Sequence, residues 1–539
     1  MTEVGKILLD NQVQALRRAA TARPALLSLI LGALSATGFA PLGLWPVALG
    51  CFAVWLWLIH EAPVLKPALL RGWLFGVGQF AIGINWLQHP FIYQDAMPHW
   101  LGYVGVLLSA LYLALYPMLA AGLAWRLASP RAAGDATPRV GIAFVLVFGA
   151  AWIVTEWLRS TMLSGFPWNP LAAIWVPLLG VARIAAWTGT YALSGLTVAV
   201  AGTLILAFTG RRRVPAATFA LLALLAVSGL HLEMTAPQLP KDYPYVRIVQ
   251  TNLGEEERPT PDYAENSLRA FEGAEAGPHR ENPRLIVWPE GALRFFVEDG
   301  YPAEYYWRGL PGVTRRRIAA LLGPRDLVLS GGNALQFDAA GTLKAGTNSI
   351  FAIDSTGSIL ARYDKAHLVP FGEYLPLRPL LTAFGLQRLV PGDLDFAGGP
   401  KPRTIALPGF GNVGMNICYE IIFSGQIVDP AHRPGVIFNP SNDSWFGGWG
   451  PPQHLAQAQL RAIEEGLPII RATPTGISAV IAADGRLLGS LPLHKAGTIE
   501  LPMPQAATPT LFSRLGNWAA CLVAAAMLLL AVAFRRSSR

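Results

Sequence analysis

Gly411-Asn412-Val413-Gly414-Met415-Asn416-Ile417-Cys418-Tyr419-Glu420-Ile421-Ile422-Phe423 is an apolar, glycine-punctuated run that reaches a thiol and then changes character. Val413 to Ile417 reads as a buried strand and Ile421 to Val428, ahead of Pro430, as a helix, so Cys418 falls on a strand-to-helix turn. A side chain there is open to reactants, and the free N–H groups that begin a helix favour a thiolate. The alternative is a structural Cys, since free Cys packs as a small apolar residue. Of the 3 cysteines, Cys51 and Cys521 lie in apolar stretches, and Cys418 stands alone in a polar region. That arrangement offers neither a disulfide framework nor a zinc set, and favours a nucleophile served by a base elsewhere in the chain.

Outward from this run the chain divides. With 539 residues, 53% hydrophobic and 14% charged, it is too apolar for a wholly soluble protein. Apolar stretches near Ala25 to Ala40, Leu44 to Ile59, Leu69 to Leu87, Trp100 to Trp125, Val140 to Leu158, Trp187 to Phe208, Val214 to Leu232 and Asn517 to Phe534 approach the roughly 20 residues that cross hydrocarbon, the first two falling short. This predicts eight membrane helices: seven in a domain over 1–236, and one in 511–539 after a polar domain over 237–510. Basic residues mark alternate loops: Lys6, Arg17, Arg18 and Arg23; Lys66 and Arg71; Arg126, Arg131 and Arg139; Arg211 to Arg213; Arg535, Arg536 and Arg539. Basic loops stay cytoplasmic, so both termini are expected inside and the polar domain outside. The net charge of +8 is then a topology signal, and no nucleic-acid partner is expected. Glu156 should face the bundle or the interface, and the Gly165-Phe166-Pro167-Trp168-Asn169-Pro170 loop reads equally as an interfacial anchor and as a substrate-facing segment.

The polar domain alternates apolar runs with helical patterns. Tyr245 to Gln250, Arg284 to Trp288, Leu327 to Gly331, Asn348 to Ile353, Val413 to Ile417, Val436 to Asn439, Ile469 to Ala472 and Ile477 to Ala482 read as strands. Tyr263 to Gly273, Val313 to Leu322, Ile421 to Val428 and His454 to Glu465 read as helices, which makes an α/β domain. In such domains chemistry gathers at strand ends. Pro289 stops one strand and leaves Glu290 at its edge, while Lys365 lies in a broken loop between Asp364 and His367. Both carboxylate and lysine have plain structural readings. Together with Cys418 they make chemical sense: Glu290 takes and returns the thiol proton, while Lys365 lowers the thiol pKa and faces a tetrahedral oxyanion. No metal and no cofactor is expected, because metal-ligand spacing and a phosphate loop are both missing.

WPEGA around Glu290, DKAHLVPFGEYLP around Lys365, NICYE around Cys418 and the following Asn439-Pro440-Ser441-Asn442-Asp443-Ser444-Trp445-Phe446 resemble, in this order, the nitrilase superfamily and its Glu-Lys-Cys triad. With seven apolar stretches before and one after, together with FAPLGLWP, NWL and GFPW, nearly the whole chain resembles the bacterial apolipoprotein N-acyltransferases. The resemblance implies an αββα sandwich in the periplasm, attached to the inner membrane. It implies a ping-pong acyltransferase that acts in lipoprotein biosynthesis without a cofactor. Cys418 takes the sn-1 acyl chain of a phospholipid, typically phosphatidylethanolamine, as a thioester. The acceptor is the α-amine of an apolipoprotein's S-diacylglyceryl cysteine. Glu373 is expected to hold Lys365 and Glu290 in register, and Tyr419 and Glu420 to shape the acyl pocket. A family Trp after the first strand is missing at Gly254-Glu255-Glu256-Glu257-Arg258-Pro259, with Trp307 or Trp445 as substitutes. Two alternatives stay open: a membrane-tethered amidase or nitrilase hydrolysing a small amide or nitrile, and a transporter or sensor whose outer domain only binds.

Overall fold

The computed structural model describes residues 22–93, 97–129, 140–208, 210–234, 243–258, 260–275, 281–383, 385, 387–389, 395–401 and 403–537. Lys6, Arg17, Arg18, Arg131, Arg139, Pro259, Arg539 and the expected boundary at 236/237 lie outside the described residues. Among those described, 5 helices are long and apolar enough to cross a membrane: Leu101–Ala128, Ile142–Ser164, Ala185–Ala207, Arg213–His231 and Trp518–Arg536. Leu65–Gly83 and Asn85–Tyr93 form a further candidate bent by 43°, while Pro24–Gly38 and Trp45–His60 are apolar but shorter. The bend falls where the Gly83 carbonyl accepts the Asn169 side-chain amide at 3.0 Å, one of the few ways a helix ladder is interrupted without proline.

Small residues let the first helices meet. A Cβ on Gly32 would fall 1.9 Å from the Phe75 carbonyl oxygen, and one on Gly78 2.1 Å from that of Leu29. Backbone contact at this range replaces the hydrophobic drive that lipid cannot supply between helices. Glu156, buried in Ile142–Thr161, lies 3.6 Å from Arg159 and accepts the Leu171 N–H at 2.9 Å, so it faces the bundle in a structural role.

The α/β domain has twelve described strands: β1 Tyr245–Gln250, β2 Arg284–Leu293, β3 Leu327–Phe337, β4 Leu343–Asp354, β5 Ile359–Asp364, β6 Arg403–Leu407, β7 Gly411–Met415, β8 Val436–Pro440, β9 Ile469–Ala472, β10 Ser478–Ile481, β11 Leu487–Leu491 and β12 Gly497–Pro502. They form two six-stranded sheets, ordered β12-β1-β2-β3-β4-β5 and β11-β10-β9-β8-β7-β6. The central pairs β1/β2, β2/β3, β7/β8 and β8/β9 are parallel. Ile248, Leu285 and Leu329 of the first sheet share one core with Met415, Ile437 and Ile470 of the second. On the outer face of the first sheet Phe271, from the helix Tyr263–Glu275, stacks on Trp288 at 4.4 Å. Over the second sheet lies Gly450–Glu465, whose Leu460 and Ile463 pack into the membrane-helix core.

Ile421 to Val428 does not form the expected helix. A five-residue 3-10 turn, Cys418–Ile422, is followed by loop, because Asn416 Nδ2 donates to the Ile427 carbonyl at 2.8 Å and folds the segment back on the strand end. Stabilisation of a thiolate by a helix start therefore drops out of the account.

Candidate active site

Glu290 leaves its sheet on a bulge whose causes are local. Pro289 has no N–H for the ladder, Gly291 takes φ +65°, and β2–β3 pairing lapses between Trp288 and Leu293. Gly331 on β3 makes room: a Cβ there would lie 2.5 Å from the Pro289 oxygen and 2.6 Å from the Glu290 Cα. Lys365 follows β5 directly, its N–H held by the Asn348 carbonyl at 2.8 Å. Cys418 takes φ +51°, a left-handed conformation that a non-glycine residue adopts only where its surroundings impose it.

The predicted residues meet. Lys365 Nζ lies 3.0 Å from Glu373 Oε1 and 3.5 Å from Glu290 Oε1. Glu373 reaches Glu290 through a third residue: Asn348 Nδ2 donates to Glu290 Oε1 at 2.6 Å and to Glu373 Oε1 at 2.9 Å. The other oxygens accept backbone N–H groups, Glu290 Oε2 from Asn442 at 2.7 Å and Glu373 Oε2 from Val369 at 2.8 Å. Glu290, Lys365, Glu373, Cys418 and Tyr419 line one cavity of about 280 Å³. Burial alone would lower the pKa of Lys365, but Glu373 and Glu290 outweigh it and hold the ammonium above its ordinary value.

The thiol departs from expectation. Burial and then Glu290 push the Cys418 pKa well up, against a weaker pull from Lys365. Lys365 is spent on two carboxylates, so the resting group is a thiol in the same cavity as the Glu290 carboxylate. Tyr419 is on the cavity wall, and its hydroxyl donates to the Gly165 carbonyl at 3.0 Å. Glu420 is not on that wall. Its carboxylate accepts the N–H groups of Ile417 at 2.6 Å, Ala366 at 2.8 Å and His367 at 3.0 Å, and so ties the lysine loop to the cysteine turn. Asp364 and His367 keep structural roles, the first bound to Ser349 and Arg362, the second packed 4.0 Å from the Phe423 ring.

The opposite wall comes from the membrane domain: Trp86, Leu87, Tyr112, Leu113 and the loop Met162 to Phe166. Just beyond that loop Trp168 is fully buried, 4.4 Å from Trp86, with Nε1 donating to Gln453 at 2.7 Å. Trp168 is a joint between the two domains, which excludes an aromatic-belt role for it. Sequence reasoning missed Asn348, Asn442 and His454; the polar start of an otherwise apolar strand was the one signal for Asn348. Among the described residues no group of His, Cys, Asp and Glu could hold a metal ion.

Two family models match: the apolipoprotein N-acyltransferase N-terminal domain over residues 31–203, and carbon-nitrogen hydrolase over residues 246–508. The apolipoprotein N-acyltransferase of Rhodopseudomonas palustris is 33% identical over 535 residues, covering 95% of each chain. The chain belongs to the apolipoprotein N-acyltransferase family. The Bradyrhizobium diazoefficiens member is 35% identical over 541 residues, covering 96% of each chain, and that of Caulobacter vibrioides 35% over 502 residues, covering 91% of each. Among solved structures, Saccharomyces cerevisiae Nit3, of the nitrilase superfamily, shares 16% identity over 50% of this chain and 93% of its own, with a TM-score of 0.34. Membership makes this a bacterial membrane acyltransferase with a nitrilase-type α/β domain. Of the two candidate substitutes for the Trp missing near Glu255, Trp445 is on the cavity wall and 5.5 Å from Tyr93. Trp307 lines a separate cavity with Arg258 and Arg294.

Proposed function

We propose that the protein moves the sn-1 acyl chain of a phospholipid, phosphatidylethanolamine in the first instance, through a Cys418 thioester to the α-amine of the S-diacylglyceryl cysteine of an apolipoprotein. One observation carries this reading: the cavity that holds Glu290, Lys365 and Cys418 is walled by apolar residues of the membrane domain. A lipid ester reaches such a site along hydrocarbon, whereas a small water-borne amide gains nothing from it.

The chemistry follows from the groups present. As Sγ attacks the ester carbonyl carbon, Glu290 takes the thiol proton, and the developing oxyanion is stabilised by the Lys365 ammonium. Collapse breaks the bond to the glycerol oxygen, which leaves with the proton returned by Glu290, giving a lysophospholipid and a thioester. The acceptor amine then attacks the thioester. Glu290 removes a proton from nitrogen, the C–S bond breaks, and the thiol is restored with that proton. Because the resting thiol binds its proton tightly, deprotonation accompanies attack.

In this reading residues 1–236 and 511–539 carry eight membrane helices, the short Pro24–Gly38 and Trp45–His60 among them, and 237–510 is periplasmic with both termini cytoplasmic. Two contacts support the sidedness: Arg535 donates to the Leu127 carbonyl beside Arg126, and Arg183 pairs at 2.9 Å with Asp484 of the α/β domain. The test is to supply vesicles of acyl-labelled phosphatidylethanolamine with a diacylglyceryl peptide. Label should pass to the peptide with wild type and fail to pass with Cys418→Ser; equal transfer by both would end the assignment.

A further inference from the structure

Asn442, whose N–H carries Glu290, precedes Asp443, and Asp443 belongs to a buried network that reaches the Cys418 backbone. His454, fully buried on the helix Gly450–Glu465, places Nε2 3.2 Å from the Cys418 carbonyl oxygen and Nδ1 3.1 Å from Asp443 Oδ1. Arg471 Nη2 binds both Asp443 oxygens, at 2.7 and 2.6 Å, and lies 3.1 Å from His454 Nδ1. Its Nη1 donates to Asn439 Oδ1 at 2.8 Å, and Asn439 Nδ2 in turn donates to the Asn416 carbonyl at 2.9 Å. All these side chains are buried.

Burial and Arg471 lower the His454 pKa to about 4, so at neutral pH the ring has a single N–H. Nε2 faces a carbonyl oxygen, which can only accept. Nδ1 lies 3.1 Å from both Asp443 Oδ1, which accepts, and Arg471 Nη2, which donates, so it is served with or without a proton. Nε2 has only the carbonyl oxygen before it, so the proton belongs there; on Nδ1 it would leave a ring lone pair against the Cys418 oxygen with no donor between them.

We infer that His454 is a positioning residue: its Nε2–H on the Cys418 carbonyl holds the nucleophile's left-handed backbone, while the Asp443–Arg471 pair beside its Nδ1 anchors the Asn442 amide under Glu290. One buried network thus sets base against nucleophile. It extends into the membrane domain, since the Trp168 ring lies 5.3 Å from the imidazole.

His454→Gln and His454→Met are nearly isosteric and differ in the donor. With the acyl-transfer assay, kcat should fall roughly 10- to 100-fold in the Met variant, with KM for both substrates within about 2-fold, since misplacement by about an ångström costs this much. The Gln variant should recover most of the loss. Iodoacetamide should alkylate Cys418 at rates ranked in the same way, and equal kcat and equal alkylation in the two variants would overturn the inference. If the Met variant does not accumulate, the ¹⁵N-histidine spectrum of wild type decides: Nε2–H supports the inference, and Nδ1–H or imidazolium at pH 7 contradicts it. The kinetic arm rests on the proposed acyl transfer. A wild type that forms no thioester would defeat that reading alone, leaving the alkylation and the spectrum to test His454.

Discussion

At the residue scale the site is a chain of substitutions for water. Lys365 is 1% exposed and Glu373 7%, so each charge is stabilised mainly by its partners. Lys365→Met should therefore destabilise the protein by roughly 3–5 kcal/mol, the cost of leaving buried carboxylates unpaired, and thermal unfolding in detergent would read it. Adding Glu373→Gln should recover part of the loss. Glu290→Gln keeps the hydrogen bond from Asn348, loses the one from the Asn442 N–H and removes the base, so activity should fall about 10²- to 10⁴-fold while stability drops by only about 1–3 kcal/mol. His454 supplies a signed pH dependence. Its folded pKa of about 4 lies below the ordinary imidazole value of 6.5, so the unfolded chain binds the extra proton between these values. Stability contributed by the neutral ring, whose charged neighbours are Arg471 and Asp443, is complete above pH 6.5 and lost as pH falls towards 4, roughly 3 kcal/mol in all. The stability difference between wild type and His454→Gln should shrink over that window; a constant difference would contradict the buried neutral ring.

At the element scale, what the sequence showed and what it hid divide by position in the sheets. The central strands are apolar on both faces and read directly, with β1 and β9 matching their expected bounds. The strands that went unread, β5, β6, β11 and β12, are the four edges. β11 has no buried residue and β12 one, so no apolar run marks them. Ile421 to Val428 misread for a different reason: its apolar residues pack in the core of a loop, where helical spacing has no meaning. Glu290, Lys365, Glu373 and Cys418 were legible because each stands in a motif, whereas Asn348 and His454 act through contacts that only the fold creates. The helix Gly450–Glu465 shows the same dependence. It is buried almost throughout although it carries Arg461 and Glu464, because these pair at 2.6 Å and Glu464 also accepts the Thr190 N–H of the membrane domain at 2.6 Å. Glu464→Ala should cost roughly 3–5 kcal/mol, and loosening of the domain joint should appear as faster proteolysis between the two domains.

At the scale of the whole molecule, the two domains complete each other's site. The α/β domain supplies Glu290, Lys365 and Cys418; the membrane domain supplies an apolar wall and, through Gly165 and Trp168, contacts to Tyr419 and to the helix behind Cys418. Leu163 stands 78% exposed on the cavity rim, where an apolar side chain gains only if lipid covers it. Leu163→Asp should lower kcat/KM for vesicle-borne phospholipid about 10- to 100-fold, the effect of about 1–3 kcal/mol, while alkylation of Cys418 by iodoacetamide stays within about 3-fold. The central claim is that a neutral thiol, deprotonated by Glu290 during attack, accepts a fatty acyl chain from a lipid. Mass spectrometry of the Cys418 peptide, after the protein is incubated with phospholipid and no acceptor, tests it most directly. An acyl adduct on Cys418 that is absent from Glu290→Gln and discharged by a diacylglyceryl peptide is the predicted result, and an unmodified Cys418 or an acyl group on another residue would contradict it.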